Sequence, residues 1–176
     1  SSVDVTPLAA LSAEPAEVEI WVATVSYDDG TSEKYQLPLV SHPEPVDSLD
    51  HVLLGSVDVD GAPVWIYDAL HEKDVTSAWI EGIRAATGTD TGERLRFSRY
   101  VEPDDVPSEV TSLVLTGEQS NTSLIYGDLA ILKVFRRLQP GVNPDIEIGS
   151  ALSEHGARHV PRLLGSVTAE RNGQTY

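Results

Sequence analysis

The run Ala130-Ile131-Leu132-Lys133-Val134-Phe135, preceded by Gly117-Glu118-Gln119-Ser120-Asn121-Thr122-Ser123, decides how this chain is read. A short apolar run with β-branched and aromatic members, set off by a Gly127-Asp128 turn from residues 123–126, predicts two paired strands. Lys133 sits in the middle of the second. An ammonium among Ile, Leu, Val and Phe loses hydration, which is tolerated where an anion awaits the charge, and a nucleotide phosphate is such an anion. The chain has two other lysines, Lys34 and Lys73, both in polar sequence. The plain alternative for Lys133 is a stem lying on the sheet with its head reaching water.

Before this run, residues 110–116 predict a preceding strand. Asn143-Pro144-Asp145 predicts a helix start, with proline in the first turn and acidic neighbours. Ile146, Ile148 and Leu152 continue the helix towards Gly156. Residues 160–169 and the Asn172-Gly173 turn predict a hairpin whose second strand has only begun at Tyr176, so a longer protein is expected. Upstream, residues 18–25 and 33–39 flank Asp28-Asp29-Gly30 as a hairpin, and residues 51–59 and 62–67 flank Asp60-Gly61 as another. Residues 41–50 read as a loop. Leu70, Val75, Trp79, Ile80 and Ile83 recur at helical spacing within residues 68–86, before a stop at Thr87-Gly88. Residues 94–100 predict a strand, and residues 102–108 have linker chemistry. The expected fold class is α+β. A cap domain over residues 1–100, with a small antiparallel sheet and a packed helix, precedes a second region over residues 101–176. Trp21, Trp65 and Trp79 are assigned to the core.

Charge divides the same way. Residues 1–110 carry 22 acidic and 6 basic side chains, and residues 111–176 carry 6 of each, so the whole net charge of −16 lies in the first part. This argues against nonspecific binding to nucleic acid or anionic lipid, which needs clustered Lys and Arg. The second part repels an anion less. A solvated acidic surface that maintains solubility is the simplest reading of the excess. Without cysteine there is no disulfide framework or thiolate metal site. His42, His51, His71, His155 and His159 lack the paired helical spacing of a zinc site. No apolar run approaches the roughly 20 residues of a membrane span, and Ser1-Ser2-Val3-Asp4 lacks the pattern of a secretory signal, so a soluble cytoplasmic protein is expected.

Three elements stand in a definite order: a small-residue loop between strands, Lys133 on the following strand, and Glu147 on the next helix. Protein-kinase-like phosphoryl transfer uses this order, with the loop over the phosphates, the lysine neutralising them and the glutamate holding the lysine. Gln119, Ser120, Asn121, Thr122 and Ser123 are the candidate phosphate-loop residues, and Lys133 and Glu147 complete the candidate nucleotide site. Taken singly, the loop reads as a turn and Glu147 as a solvated helix residue. At least one of Arg136 and Arg137 is assigned a surface or structural place.

The same residues carry a resemblance. The loop at 117–123, the strand continued through Arg136-Arg137, Gly141-Val142-Asn143-Pro144-Asp145-Ile146-Glu147, and His159-Val160-Pro161-Arg162-Leu163-Leu164-Gly165 resemble the N-lobe of bacterial maltokinases, relatives of aminoglycoside phosphotransferases. Upstream, residues 26–35 and Asp68-Ala69-Leu70 resemble that family's N-terminal cap. The resemblance covers most of the chain, with its strong matches in residues 117–165. It implies an ATP- and Mg2+-dependent kinase that phosphorylates the anomeric hydroxyl of maltose and feeds glycogen synthesis from trehalose. It further implies Lys133 on the nucleotide phosphates, Glu147 paired with it, and a cap able to contact a partner enzyme such as trehalose synthase. The family's catalytic aspartate, metal-binding aspartate and sugar pocket belong to a C-lobe with no matching motif in this chain, and its usual N-terminal Gln-Arg-Trp segment is absent too. Residues 1–176 alone are therefore expected to be inactive. A glucosamine or other sugar kinase of the same fold, and a noncatalytic binding module, are the competing readings.

Overall fold

The computed structural model describes residues 1–13, 16–87, 95–115, 121–157, 159–171 and 173–176. The chain opens on β1 (Ser2–Ala13), antiparallel to β2 (Ala16–Ser26), with a register shift between Pro7 and Ala9. No strand is expected from the sequence over β1. Pro7 lacks the amide that an interior strand needs, and β1 accommodates it by lying at the edge of its sheet. In β2, Val18, Ile20 and Val22 alternate with Glu19 and Trp21, and the first three are 0–3% exposed. The period of two sends one side of the strand into the core.

The expected hairpin forms: β2 pairs with β3 (Ser32–His42) from Val18 opposite Val40 to Ser26 opposite Ser32. Asp29 organises its turn, its Oδ1 accepting from the Thr31 amide at 2.9 Å and hydroxyl at 2.6 Å. Within the expected loop at 41–50, β3 runs on to His42 and a 3-10 turn begins at Asp47. The second hairpin joins β4 (Leu53–Val59) to β5 (Ala62–Asp68). Asp60 and Gly61 both have positive φ, 53° and 86°, as a two-residue connection with the twist of a hairpin requires.

The expected helix is α1 (Lys73–Ala85), and the expected strand at 94–100 is β6 (Leu95–Arg99). The strand around residues 110–116 is shorter than its apolar pattern, β7 (Leu113–Leu115). It pairs with β8 (Asn121–Tyr126), which pairs with β9 (Ala130–Phe135). β10 (Arg137–Leu138) follows at once, and α2 (Pro144–Glu154) starts with the Asn143 side chain accepting from the Asp145 amide at 2.9 Å. Asn143 and Pro144 thus begin the helix as their residue types direct. Gly156, with φ 66°, follows its end. β11 (Gly165–Arg171) and β12 (Gln174–Thr175) form the terminal hairpin.

Among the described residues the strands form three antiparallel sheets. The first runs β1-β2-β3-β5-β4, with β10 also on β3; the second runs β12-β11-β6; the third runs β7-β8-β9. The fold is α+β, antiparallel sheets with a few helices, as expected.

The chain divides into two compact units, Ser1–Trp79 with Glu109–Leu138, and Ile80–Ser108 with Gln139–Tyr176. In the first, the core gathers Val18, Ile20, Val40, Tyr67, Leu70, Val75, Leu124 and Tyr126, each 0–1% exposed. Thr76 on α1 is the polar centre of this core. Its hydroxyl donates to the Lys73 carbonyl at 2.9 Å and accepts from Ser112, while its carbonyl accepts from the Tyr126 hydroxyl at 2.6 Å. In the second unit the end of α1 packs on β6 and β11 closely enough that two glycines are needed. A Cβ on Gly82 would meet the Phe97 ring, and one on Gly165 would meet Ile83 and the Ser98 carbonyl. Trp79 is a core residue, 5% exposed. Trp21 and Trp65 are only half-buried on the first sheet.

Candidate functional site

The register of the third sheet sorts its side chains onto two faces. Opposed residues in an antiparallel pair share a face, so Leu113 and Leu115 of β7, Ser123 and Ile125 of β8, and Ile131 and Lys133 of β9 lie together. Leu124, Leu132 and Val114 lie on the other face. The second face is the buried one, with Leu124 at 0% exposure. On the first, Leu113 is 65% exposed, Leu115 42% and Ile131 62%, and Lys133 is exposed too.

This corrects one step of the sequence reading. Lys133 is not desolvated inside an apolar strand, because Leu132 and Val134 take the inward positions and the period of two turns Lys133 outward. The result is an exposed apolar sheet face that carries the Lys133 ammonium. Directly across from Lys133, Ser123 is 3% exposed, a small residue in the central strand flanked by Leu115 and Lys133.

The other candidate residues fall in several places. Asn121 shares the Lys133 face and is half-buried. Thr122 turns to the opposite face, where its hydroxyl accepts from Arg136 Nε at 2.9 Å. Gln119 and Ser120 lie outside the described residues. Glu147 is exposed in the first turn of α2, in the other compact unit from Lys133.

Sequence reasoning missed a set of contacts that tie the third sheet to the first within one unit. β10 pairs with β3, Arg137 opposite Tyr35 and Leu138 opposite Lys34. The Gln36 side chain donates to the Phe135 carbonyl at 2.7 Å, and the Gln36 amide donates to the Arg136 carbonyl at 2.8 Å. Arg136 Nη2 meets Asp68 Oδ2 at 2.5 Å, both side chains being about four-fifths buried. Both arginines after the strand are thus structural. Arg137 meets Glu33 at 2.7 Å, and Glu33 also accepts from Tyr35 at 2.6 Å and Tyr27 at 2.8 Å. These two phenols, Tyr35 first, hold the Glu33 carboxyl below its usual range, and the carboxylate in turn pushes the Tyr27 phenol up to about 12. Burial raises the Tyr126 phenol as well. The only sequence signal for the ties was the Arg136-Arg137 pair itself, whose partners lie about 70 and 100 residues upstream.

A concave surface lies on the first sheet, a cleft of about 230 Å3 lined by Val5, Glu19, Trp21, Leu39, Ser41 and Ile66. Its charged group is a carboxylate, so it does not suit a phosphate. Comparison with known families then bears on the sheet beside it. Residues 1–72 match the maltokinase N-terminal cap domain. The matched stretch ends at Glu72, one residue before α1 begins at Lys73, and covers β1 through β5. The matched stretch carries Gln36 and Asp68, the residues that hold the end of β9. It also has 14 acidic residues and one basic residue, Lys34, so most of the chain's negative charge belongs to it. Among the described residues no helix is long and apolar enough to cross a membrane.

Proposed function

We propose that this chain is the N-terminal part of an ATP- and Mg2+-dependent sugar kinase that phosphorylates maltose to maltose 1-phosphate for glycogen synthesis from trehalose. The observation that carries the reading is the maltokinase cap match over residues 1–72, joined in one compact unit to the sheet that bears Lys133. Residues 1–100 are read as the cap region and residues 101–176 as the start of a kinase N-lobe. The cytoplasm, where ATP is available, is the proposed compartment, and trehalose synthase the proposed partner enzyme.

The residues present fit a nucleotide. An exposed apolar sheet face suits a flat base, and a cation on that face suits a phosphate. Lys133 neutralises phosphate charge, and Glu147 restrains the lysine in the working enzyme. Asn121 and Ser123 share the sheet face that carries Lys133, and polar groups beside a cation suit phosphate oxygens. Bound Mg-ATP supplies the transferred phosphoryl group. The groups that activate the sugar hydroxyl and ligate magnesium are assigned to a C-terminal lobe.

The test is a coupled ADP-release assay on the protein expressed from its whole reading frame, with maltose, glucosamine and glucose as acceptors. Turnover of maltose alone supports the reading. Turnover of glucosamine instead keeps the Lys133 role and moves the enzyme to another sugar, and no turnover with any sugar favours a noncatalytic module.

A further inference from the structure

The contacts at the end of β9 do more than join two sheets. Arg136 lies three residues after Lys133 and holds two anchors at once, donating to Thr122 on β8 at 2.9 Å and to Asp68 on β5 at 2.5 Å. Thr122 is next to Ser123, which stands directly opposite Lys133. Asp68 is fixed in its own right, because its other oxygen accepts from the Leu70 amide at 3.1 Å and so caps the short turn after β5. One guanidinium therefore pins the β8–β9 register at the Lys133 end to a rigid point in the cap. Gln36 adds two further bonds to the Phe135 and Arg136 carbonyls. Charge-assisted, partly buried bonds of this geometry are the strong class, and the planar fork of arginine presents both donors in a fixed geometry that a lysine ammonium lacks.

We infer that Asp68 and Arg136 are positioning residues for nucleotide phosphate: through them the cap fixes the strand that carries Lys133. This rests on the kinase reading above. Neither residue touches the nucleotide; both act through the placement of Lys133 and Ser123. A lysine that must meet a phosphate is sensitive to small displacements of its strand, whereas the acceptor sugar depends on other elements.

The experiment compares Asp68→Asn with the unaltered protein, expressed from its whole reading frame, by steady-state kinetics with Mg-ATP and maltose. The expected result is a rise in KM for ATP of about tenfold, the size of one lost charge-assisted bond, with KM for maltose within about twofold. Arg136→Gln, which loses the Thr122 bond as well, should give at least as large a rise, and the double variant should be no worse than Arg136→Gln alone, because Asp68 acts through Arg136. Arg162→Gln, which breaks the exposed pair with Asp105, should leave both constants alone. If Asp68→Asn fails to fold, Arg136→Lys, which keeps the charge but loses the fork, replaces it under the same criterion. An unchanged KM for ATP, equal rises for ATP and maltose, or simply additive single effects would overturn the inference. If the unaltered protein phosphorylates no sugar, the kinase reading itself fails and this positioning role falls with it. That failure shows in the parent protein, so the two are told apart.

Discussion

On one face of the β7-β8-β9 sheet Leu124 and Tyr126 are fully buried, while on the other Leu113 and Ile131 are 65% and 62% exposed. The two faces are built from similar apolar residues, so composition does not explain the difference. The buried face meets α1 at Thr76 and closes a core; the exposed face keeps its leucines and isoleucines in water around a single ammonium. An apolar surface of this kind is costly to leave open and is characteristic of a surface that receives something. The first face is therefore expected to answer to stability measurements and the second to binding measurements.

The sharpest way to break this contrast is to truncate a side chain on each face. Leu124→Ala should cost about 2–5 kcal/mol in equilibrium urea unfolding, the range for a large buried side chain replaced by alanine. Tyr126→Phe, which removes only the bond to the Thr76 carbonyl, should cost about 1–2 kcal/mol in the same experiment. A smaller effect comes from His71, half-buried and edge-on to His51 with ring centres 5.3 Å apart. Burial, with repulsion from His51 and Arg136 and against attraction to Asp68, lowers its proton affinity below the ordinary value near 6.5. A histidine with a lowered folded value contributes stability above about pH 6.5 that is lost as pH falls below it, because the unfolded chain then binds the extra proton. Urea midpoints should accordingly drop between pH 7.5 and 5.5, and His71→Gln should reduce the drop. Smallest of all, Ile131→Ala should change stability by less than about 0.5 kcal/mol; a cost matching that of Leu124→Ala would mean the two faces are alike.

The elements legible in the sequence were those with a local signal. The hairpins around Gly30 and Gly61, the apolar spacing of Leu70 to Ile83, and the Asn143-Pro144 start of α2 each specify structure within a few residues. β1 was illegible because Pro7 and the Ala9-Ala10 pair lower strand propensity, and its strand character comes from pairing with β2. β10 is two residues long and shows no period. The order of Asn121–Ser123 before Lys133 was readable, yet the exposure of Lys133 was not. Ile131 and Leu132 look the same in sequence, and only the register with β8 shows which of them faces water. The Asp68–Arg136 pair spans 68 residues, so no local pattern announces it.

The role proposed for Lys133 is to serve phosphate and not the core. Its most direct test is Lys133→Met in the protein expressed from its whole reading frame, with maltose turnover and the thermal midpoint measured on the same preparation. Turnover should fall by at least about a hundredfold, the scale of a lost electrostatic contact to a reacting group, with the midpoint within about 2 °C of the parent. Unchanged turnover, or a protein that loses its fold along with its activity, would contradict it.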